Sequence, residues 1–137
     1  MTVAREIMTA DCECISERSN LSEAARLMRD LDVGSLPICG ENDRLLGMLT
    51  DRDIVVSCVA DGLNPTEVPV RSLAKGTPVY VDAQAPVEEV MQCMADNQVR
   101  RLPVIDNKRL VGIISQGDLA RAVPNAQAGS VVEEISS

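Results

Sequence analysis

Apolar and polar residues along this chain follow a pattern that predicts strand, helix, strand, strand and helix, and the pattern occurs twice. The first predicted helix of each copy has apolar side chains spaced three and four residues apart, as on one face of an amphipathic helix. These positions are Leu21, Ala24, Ala25, Met28 and Leu31 in the first copy and Val87, Val90, Met91 and Met94 in the second. Ser19 or Asn20 can cap the first helix, and Pro86 suits the opening turn of the second.

Two short apolar runs on either side of a polar turn predict a β-hairpin in each copy. The copies align at an offset of 66 residues before the turn, as for Met28 and Met94, and at 65 after it, as for Gly47 and Gly112. One residue is therefore missing from the second turn. Deletions occur mainly in surface turns, so the change of offset supports the hairpin. Ile15 and Val79–Val81 have the β-branched character of a brief strand before each helix.

A glycine-to-aspartate motif closes each hairpin. Residues 47–54 read Gly-Met-Leu-Thr-Asp-Arg-Asp-Ile, and residues 112–119 read Gly-Ile-Ile-Ser-Gln-Gly-Asp-Leu. The apolar part suits a buried strand, and a hydroxyl residue three positions before an aspartate suits the first turn of a helix. A strand-to-helix junction is predicted at each site, and the function is expected there.

The repeat predicts the domain boundaries. A first domain would cover residues 1–62, a linker with two prolines residues 63–69, and a second domain residues 70–123. The tail, residues 124–137, has little periodicity and is predicted to be disordered or to contain a short helix near its end.

Composition narrows the classes of function. The formal net charge of -8 opposes non-specific binding to nucleic acid and to anionic membrane surfaces. No apolar run approaches the roughly 18 residues of a membrane span, and the first residues lack the apolar region of a signal peptide. We therefore expect a cytoplasmic protein without a nucleic-acid or membrane partner. Hydrophobic residues make up 45% of the chain, enough for a core, although Tyr80 is its only aromatic residue.

With these motifs the chain resembles a tandem pair of CBS domains, also called a Bateman module. The resemblance covers residues 3 to 123 and implies an α/β (α+β) fold of two β-α-β-β-α half-domains packed about a pseudo-twofold axis. It also implies a homodimer. Residues 36–40, 47–55 and 98–104 look especially like the small stand-alone actinobacterial members, which implies a role in a stress response.

The resemblance also implies a ligand site in the cleft between the half-domains. The family binds adenine nucleotides there, with the hydroxyl and aspartate of the motif on the ribose. The implied ligand is of the AMP, ADP, ATP or S-adenosylmethionine type, regulatory rather than a required cofactor. By match the ribose residues are Thr50, Asp53, Ser115 and Asp118, and adenine would lie against Cys14, Ile15, Leu36 and Pro37 or against Pro78, Val79, Tyr80, Leu102 and Pro103.

A plainer interpretation is that each motif is only a capping box, in which the carboxylate accepts a backbone N–H at the helix start. The two roles are compatible. Arg52 is placed to meet a phosphate but can instead pair with Asp51 or Glu41; the second copy has Gly117 at this position and offers Arg100 or Arg101, which can equally be a solvated edge residue. Because Cys14 and Cys39 would crowd the first site, and the second copy has no cysteine at the equivalent positions, we predict that Asp118 and Ser115 line the more accessible site.

The five cysteines suggest further hypotheses. Cys14 and Cys39 fall on strands expected to be neighbours, so a disulfide between them is geometrically conceivable and could make the first site redox-dependent. Cys12 would extend the pair to a three-thiolate metal site, but the chain has no histidine and no obvious fourth ligand, and we expect no metal. Small buried thiols in a core without aromatics remain the simplest interpretation.

Catalysis is poorly supported, because no histidine is available as a base and because Cys58 and Cys93 fall on apolar helical faces with no evident partner. The poor support for catalysis predicts that the protein is not an enzyme. The resemblance implies a regulatory module that senses an adenosyl ligand and signals through a dimer surface to an effector protein, which the sequence does not identify. The alternative is a ligand-free protein–protein interaction module, redox-responsive through Cys14 and Cys39.

Overall fold

The computed structural model describes residues 2–10, 12–74 and 78–122. The fold is mixed α/β, as predicted, and the chain divides into two compact units. One unit, called here the central unit, is Glu13–Pro78; the other, called the split unit, combines Met1–Cys12 with Val79–Ser137. Residues 124–137, predicted as a disordered tail or short helix, lie outside the described residues.

The central unit has a three-stranded sheet in the order β2-β3-β4. Strand β2 runs parallel to β3, and β3 and β4 form an antiparallel hairpin. Its elements are β2 Ile15–Ser16, α2 Leu21–Leu31, β3 Ser35–Cys39, β4 Leu45–Thr50 and α3 Asp51–Ile54, which continues as a π-helix over Val55–Val59. This order matches the predicted strand, helix, strand, strand, helix.

The split unit repeats this order and adds a strand from the start of the chain. Its sheet has the order β1-β7-β6-β5, in which β1 pairs antiparallel with β7. Its elements are α1 Ala4–Ile7, β1 Thr9–Ala10, β5 Val81–Asp82, α4 Val87–Asn97, β6 Arg101–Asp106, β7 Arg109–Ser115 and α5 Gln116–Ala122.

The opening segments of the two copies, residues 4–8 and 70–74, are exchanged. The Ala4 N–H donates to the Ala85 carbonyl at 2.8 Å, and its repeat equivalent Val70 donates to the Ser19 carbonyl at 2.7 Å. Each segment thus packs in the unit built mainly from the other copy. The predicted boundaries at residues 62 and 70 separate the two sequence repeats, whereas the compact units have other bounds. The sequence could not show this, because hydrogen bonds between residues far apart along the chain leave no periodic signal.

The hairpins confirm the deletion inferred from the change of offset. The first turn contains a 3₁₀ turn at Glu41–Asp43, whereas the second is the two-residue turn Asn107-Lys108 with φ of 52° and 69°. Two positive φ values are typical of the tight turn that suits the twist of a hairpin. Both hairpins shift register at equivalent places, after Ile38 and after Val104.

The amphipathic helices also match the prediction, with two exceptions. The Asn20 side chain caps α2 by accepting the Glu23 N–H at 2.8 Å, and Pro86 is the N-cap of α4. The helices bury Leu21, Ala24 and Met28 in one unit and Val87, Val90 and Met94 in the other. Ala25 and Leu31, predicted to face the core, are exposed because the buried stripe of α2 is narrower than the apolar pattern.

Candidate functional site

Each glycine-to-aspartate motif lies where the last strand of a hairpin runs into a helix. Strand β4 ends at Thr50, and α3 begins at the next residue. Strand β7 ends at Ser115, and α5 begins at the next residue. The first junction is defined here as 50–53 and the second junction as 115–118.

Both junctions form the predicted capping box. At the first, the Thr50 N–H donates to Asp53 Oδ2 at 2.9 Å, and the Asp53 N–H donates to Thr50 Oγ1 at 3.0 Å. At the second, the Ser115 N–H donates to Asp118 Oδ2 at 2.8 Å, and the Asp118 N–H donates to Ser115 Oγ at 3.0 Å. The capping role is therefore confirmed in both copies, and each hydroxyl is held beside its carboxylate.

The two aspartates differ in what else they contact. The Asp118 side chain is only 9% exposed, and its Oδ1 accepts a hydrogen bond from Arg121 Nη2 at 2.5 Å. Asp53 is half-buried, and its Oδ1 accepts no hydrogen bond from any described residue. The first carboxylate thus keeps an open acceptor, whereas both oxygens of the second are engaged.

The arginines near the junctions are arranged differently from the predicted scheme. Arg52 is exposed and makes no ion pair with a described residue, so the predicted pairing with Asp51 or Glu41 is not formed. Arg101 lies on β6 opposite Ser115. The guanidinium on Asp118 belongs to Arg121, which sequence reasoning missed. The i,i+3 spacing of Asp118 and Arg121 on a predicted helix was the signal that could have revealed it.

A buried amide at the second junction lacks a partner. Gln116 Nε2 is shielded from solvent and makes no hydrogen bond with the described residues. Leaving a buried donor unsatisfied costs about 1–3 kcal/mol, so an acceptor brought by water or a ligand would be stabilising there. Gln116 was not among the predicted site residues, because glutamine after a strand carries no distinctive pattern.

Several residues predicted to contact adenine are buried. Leu36 and Ile15 belong to the hydrophobic core of the central unit, and Leu102 belongs to that of the split unit. Pro37 and Pro103 are buried as well. The Leu-Pro runs are therefore core strands, and their side chains cannot stack on a ligand without opening the surrounding packing. Contact between adenine and these strands stays a prediction.

The remaining predicted contacts are more accessible. Cys14, Pro78 and Val79 are partly exposed, and Tyr80 is about half exposed. Tyr80 lines a surface depression of about 520 Å³ in the split unit, together with the acidic side chains Asp82, Glu89 and Asp96. These carboxylates disfavour a phosphate at that depression, because like charges repel.

No disulfide is formed among the five cysteines, including Cys14 and Cys39, for which one was hypothesised. The Cys14 thiol is hydrogen bonded with Cys39, and this bond lowers the pKa of Cys14, against burial and the nearby Asp43 and Glu13 carboxylates. Burial raises the pKa of Cys93. The pair is close, but the structure contains it in reduced form.

The hypothesised three-thiolate metal site has no support among the described residues. Within residues 2–10, 12–74 and 78–122, no group of three or more cysteine, aspartate or glutamate side chains is arranged to hold a metal ion.

No helix in the described part of the chain is both long and apolar enough to cross a membrane.

Comparison with known proteins decides the family. The profile of the CBS domain matches residues 4–59 and 70–125, which include both junctions. The chain is a tandem CBS-domain protein. The two CBS domains of the profile coincide with the two sequence repeats, and the resemblance stated from the motifs is confirmed.

A close relative supports the narrower resemblance. Hypoxic response protein 1 of Mycobacterium tuberculosis is 47% identical over 137 residues, covering 100% of this CBS-domain protein and 96% of the relative. A crystal structure of Hypoxic Response Protein I with two coordinated zinc ions has a TM-score of 0.84 and 49% identity, covering 90% of this chain and 100% of that chain. The likeness to a hypoxic response protein fits the expected stress-response class.

A more distant structure shares the fold alone. The crystal structure of CBSX2 in complex with AMP has a TM-score of 0.77 at 22% identity, and the match covers 89% of this chain and 96% of that chain.

Proposed function

We propose that this CBS-domain protein is a regulatory module that binds an adenosyl ligand, of the AMP, ADP, ATP or S-adenosylmethionine type, at its junctions. The observation that carries the proposal is that each junction has an exposed arginine close to its aspartate. Arg52 adjoins Asp53 and is exposed, and Arg121 reaches Asp118 from solvent. In a chain of net charge -8, these are local sites for an anion.

The chemistry of the junctions suits a nucleotide. A carboxylate can accept the hydrogens of both ribose hydroxyls, and a guanidinium binds phosphate through a planar pair of donors. The Oδ1 of Asp53 is open to such hydroxyls, and the amide of Gln116 adds an unused donor at the second junction. A protein of the same fold has been crystallised with AMP; at that identity the likeness concerns the fold, so the junction residues carry the argument.

Within this proposal the first junction is the more available one. Asp53 keeps an acceptor without a partner among the described residues, whereas Asp118 is more buried and already binds Arg121. This reverses the order predicted from the sequence, which placed the accessible site at Asp118 and Ser115. The reversal depends on Arg121, which that prediction did not include.

The experiment is titration calorimetry and thermal shift with AMP, ADP, ATP, S-adenosylmethionine and NAD on the full chain. A ligand at about 100 times its Kd adds about 2.7 kcal/mol to the free energy of unfolding, which raises Tm by several degrees. We expect Asp53→Ala to weaken binding about tenfold or more by removing the ribose acceptor. Asp51→Ala, which removes an exposed carboxylate two residues before Asp53, is the matched control and should bind as the wild type does.

The competing function is a ligand-free interaction module. No shift with any of the five ligands at millimolar concentration would favour it over the adenosyl proposal. A separate assay for released phosphate or adenine tests the expectation that the protein is not an enzyme; sustained release would contradict that expectation while still supporting a nucleotide site.

Both functions include a homodimer that signals to an effector protein, proposed here as cytoplasmic. Supporting this, Val55, Val56 and Val59 on the π-helix are 50–60% exposed and form an apolar patch of the central unit. Apolar patches on a surface commonly mark association sites. Light scattering should give a dimer for the wild type and a monomer for Val56→Asp. A dimer in Val56→Asp at low micromolar concentration would show that the dimer surface does not include this patch.

Redox response is an additional hypothesis, favoured by the hydrogen bond between Cys14 and Cys39. An oxidant such as a disulfide reagent would accept two electrons from the thiols, which lose two protons as the S–S bond forms. Mass spectrometry of the non-reduced protein would show a loss of two mass units confined to the peptides of this pair. Five free thiols after treatment would remove the hypothesis.

A further inference from the structure

At the second junction, unlike the first, an arginine is bound to the aspartate that is proposed to accept the ribose hydroxyls. Arg121 Nη2 lies 2.5 Å from Asp118 Oδ1. The arginine is 74% exposed while the aspartate is 9% exposed. The guanidinium is thus held at the surface end of a buried carboxylate, with most of its donors open to solvent.

Gly117 of the second motif lies beside this ion pair. A Cβ on Gly117 would be 3.6 Å from Arg121 Nη1 and 3.6 Å from Ser115 Oγ, which is ordinary contact distance, so the guanidinium and the hydroxyl flank the same position. In the first copy the equivalent residues are Arg52 for Gly117 and Val56 for Arg121. The first junction therefore carries its arginine one turn earlier, and that arginine makes no ion pair with Asp53.

We propose that Arg121 makes the second junction selective for adenosyl ligands that carry a phosphate. This inference rests on the proposed adenosyl function and deepens it. To place its ribose hydroxyls on Asp118 Oδ1, an uncharged nucleoside must break the hydrogen bond from Arg121. It has no anionic group to bind the guanidinium instead. A nucleotide places its diol on Asp118 and its phosphate on Arg121, so the arginine exchanges one anion for another. A sulfonium ligand adds a positive charge beside Arg121 and is disfavoured.

The first junction has no such requirement, because Asp53 Oδ1 is open before any ligand arrives and Arg52 makes no ion pair with a described residue. The two junctions therefore differ in the class of ligand they accept. The first takes adenosyl compounds with or without phosphate, and the second takes nucleotides.

The experiment measures AMP, adenosine and S-adenosylmethionine binding to the full chain by calorimetry, in an Asp53→Ala background that leaves the second junction to report. We expect AMP to bind about tenfold more tightly than adenosine, because a charge-assisted hydrogen bond contributes on the order of one tenfold step. Arg121→Val, which introduces the residue found at position 56 of the first copy, should reduce the AMP-to-adenosine ratio to near one.

Two further variants separate ligand recognition from a merely structural role. Arg109→Val removes the same charge from the same unit, but about 20 Å along β7 from Ser115, and should keep the full ratio. Arg121→Lys should keep part of the preference for AMP, because it retains the charge without the planar donors. Circular dichroism melts confirm that each variant folds, and Asp53→Asn replaces Asp53→Ala if the latter does not.

The outcomes separate the two proposals. If AMP binds but Arg121→Val leaves the ratio unchanged, the selectivity proposal is overturned and the adenosyl function stands. If neither AMP nor adenosine binds the wild type at millimolar concentration, both proposals are overturned. A ratio that falls in Arg121→Val and in Arg109→Val alike also overturns the selectivity proposal, because it would indicate a general effect of net charge.

Discussion

The two glycine-to-aspartate motifs form the same capping box, yet their first residues, Gly47 and Gly112, have different surroundings. A Cβ on Gly112 would lie 2.5 Å from Met8 Sδ and 2.8 Å from the Thr9 carbonyl oxygen. A Cβ on Gly47 would meet nothing closer than Ala74, at 3.7 Å. Gly112 of the split unit therefore has no room for a side chain, whereas a methyl group would fit at Gly47 of the central unit.

The cause is the exchanged opening segment. Met8 and Ala74 occupy equivalent positions of the repeat, 66 residues apart. In the split unit this segment continues into β1, which pairs directly with β7 across Gly112. Duplication thus preserved each junction's local hydrogen bonds, while the segment packed against it came to differ.

The largest expected effect is on this glycine pair. Gly112→Ala should lower the free energy of unfolding by about 3 kcal/mol, because the new methyl group must displace backbone of β1. Gly47→Ala, the matched control, should change it by less than about 1 kcal/mol. Urea denaturation measures both. Equal losses would contradict the assignment of β1 to the sheet of the split unit.

The aspartates should differ next. Asp118→Ala removes the acceptor of the Ser115 N–H and leaves Arg121 without its partner, so we expect a loss of about 2 kcal/mol. Asp53→Ala removes only the capping acceptor and should cost about 1 kcal/mol. Thermal melts without ligand compare them, and a larger loss for Asp53→Ala would show that the ion pair with Arg121 does not stabilise the fold.

The cysteines of the two units should differ in reactivity. Because its pKa is lowered, Cys14 stays a thiolate to lower pH than an ordinary cysteine. Its alkylation rate should therefore reach half of its maximum at a lower pH than that of Cys93, whose pKa is raised. Peptide mass spectrometry across pH gives both profiles. Cys39→Ala should shift the Cys14 profile upward, and an unshifted profile would exclude the hydrogen bond as the cause.

The smallest effects should come from the helix C-caps, which are equivalent in the two units. Asp32 and Gln98 have left-handed φ values of 56° and 51°. Replacing either by glycine should stabilise the protein by about 0.5–1 kcal/mol, because glycine adopts this conformation without a steric penalty. Ala95→Gly, inside helix α4, is the control and should destabilise by about 1 kcal/mol. Unequal gains at the two caps would show that the units differ here as well.

Much of the fold could be predicted because its signals are local. The Asn20 cap, the shortened second turn and both capping boxes involve residues within a few positions of each other, and propensity and spacing reveal such contacts. Arg121 was also local, three residues from Asp118, but an arginine at that spacing is common on solvated helix faces. Its importance depends on the burial of Asp118, which no spacing shows.

By itself, then, the sequence determined the repeat, the order of strands and helices, and the strand-to-helix junctions, because each depends on periodicity or on neighbours along the chain. Only the tertiary structure decided that the opening segments change places, that β1 completes the second copy's sheet, and that the side chains of Leu36 and Leu102 lie in the hydrophobic cores. These features arise from hydrogen bonds and packing between residues tens of positions apart, as in the pairing of Thr9 with Ile113. Only packing between residues far apart in the sequence could show that Asp118 is buried and Asp53 half-buried, although both belong to the same motif.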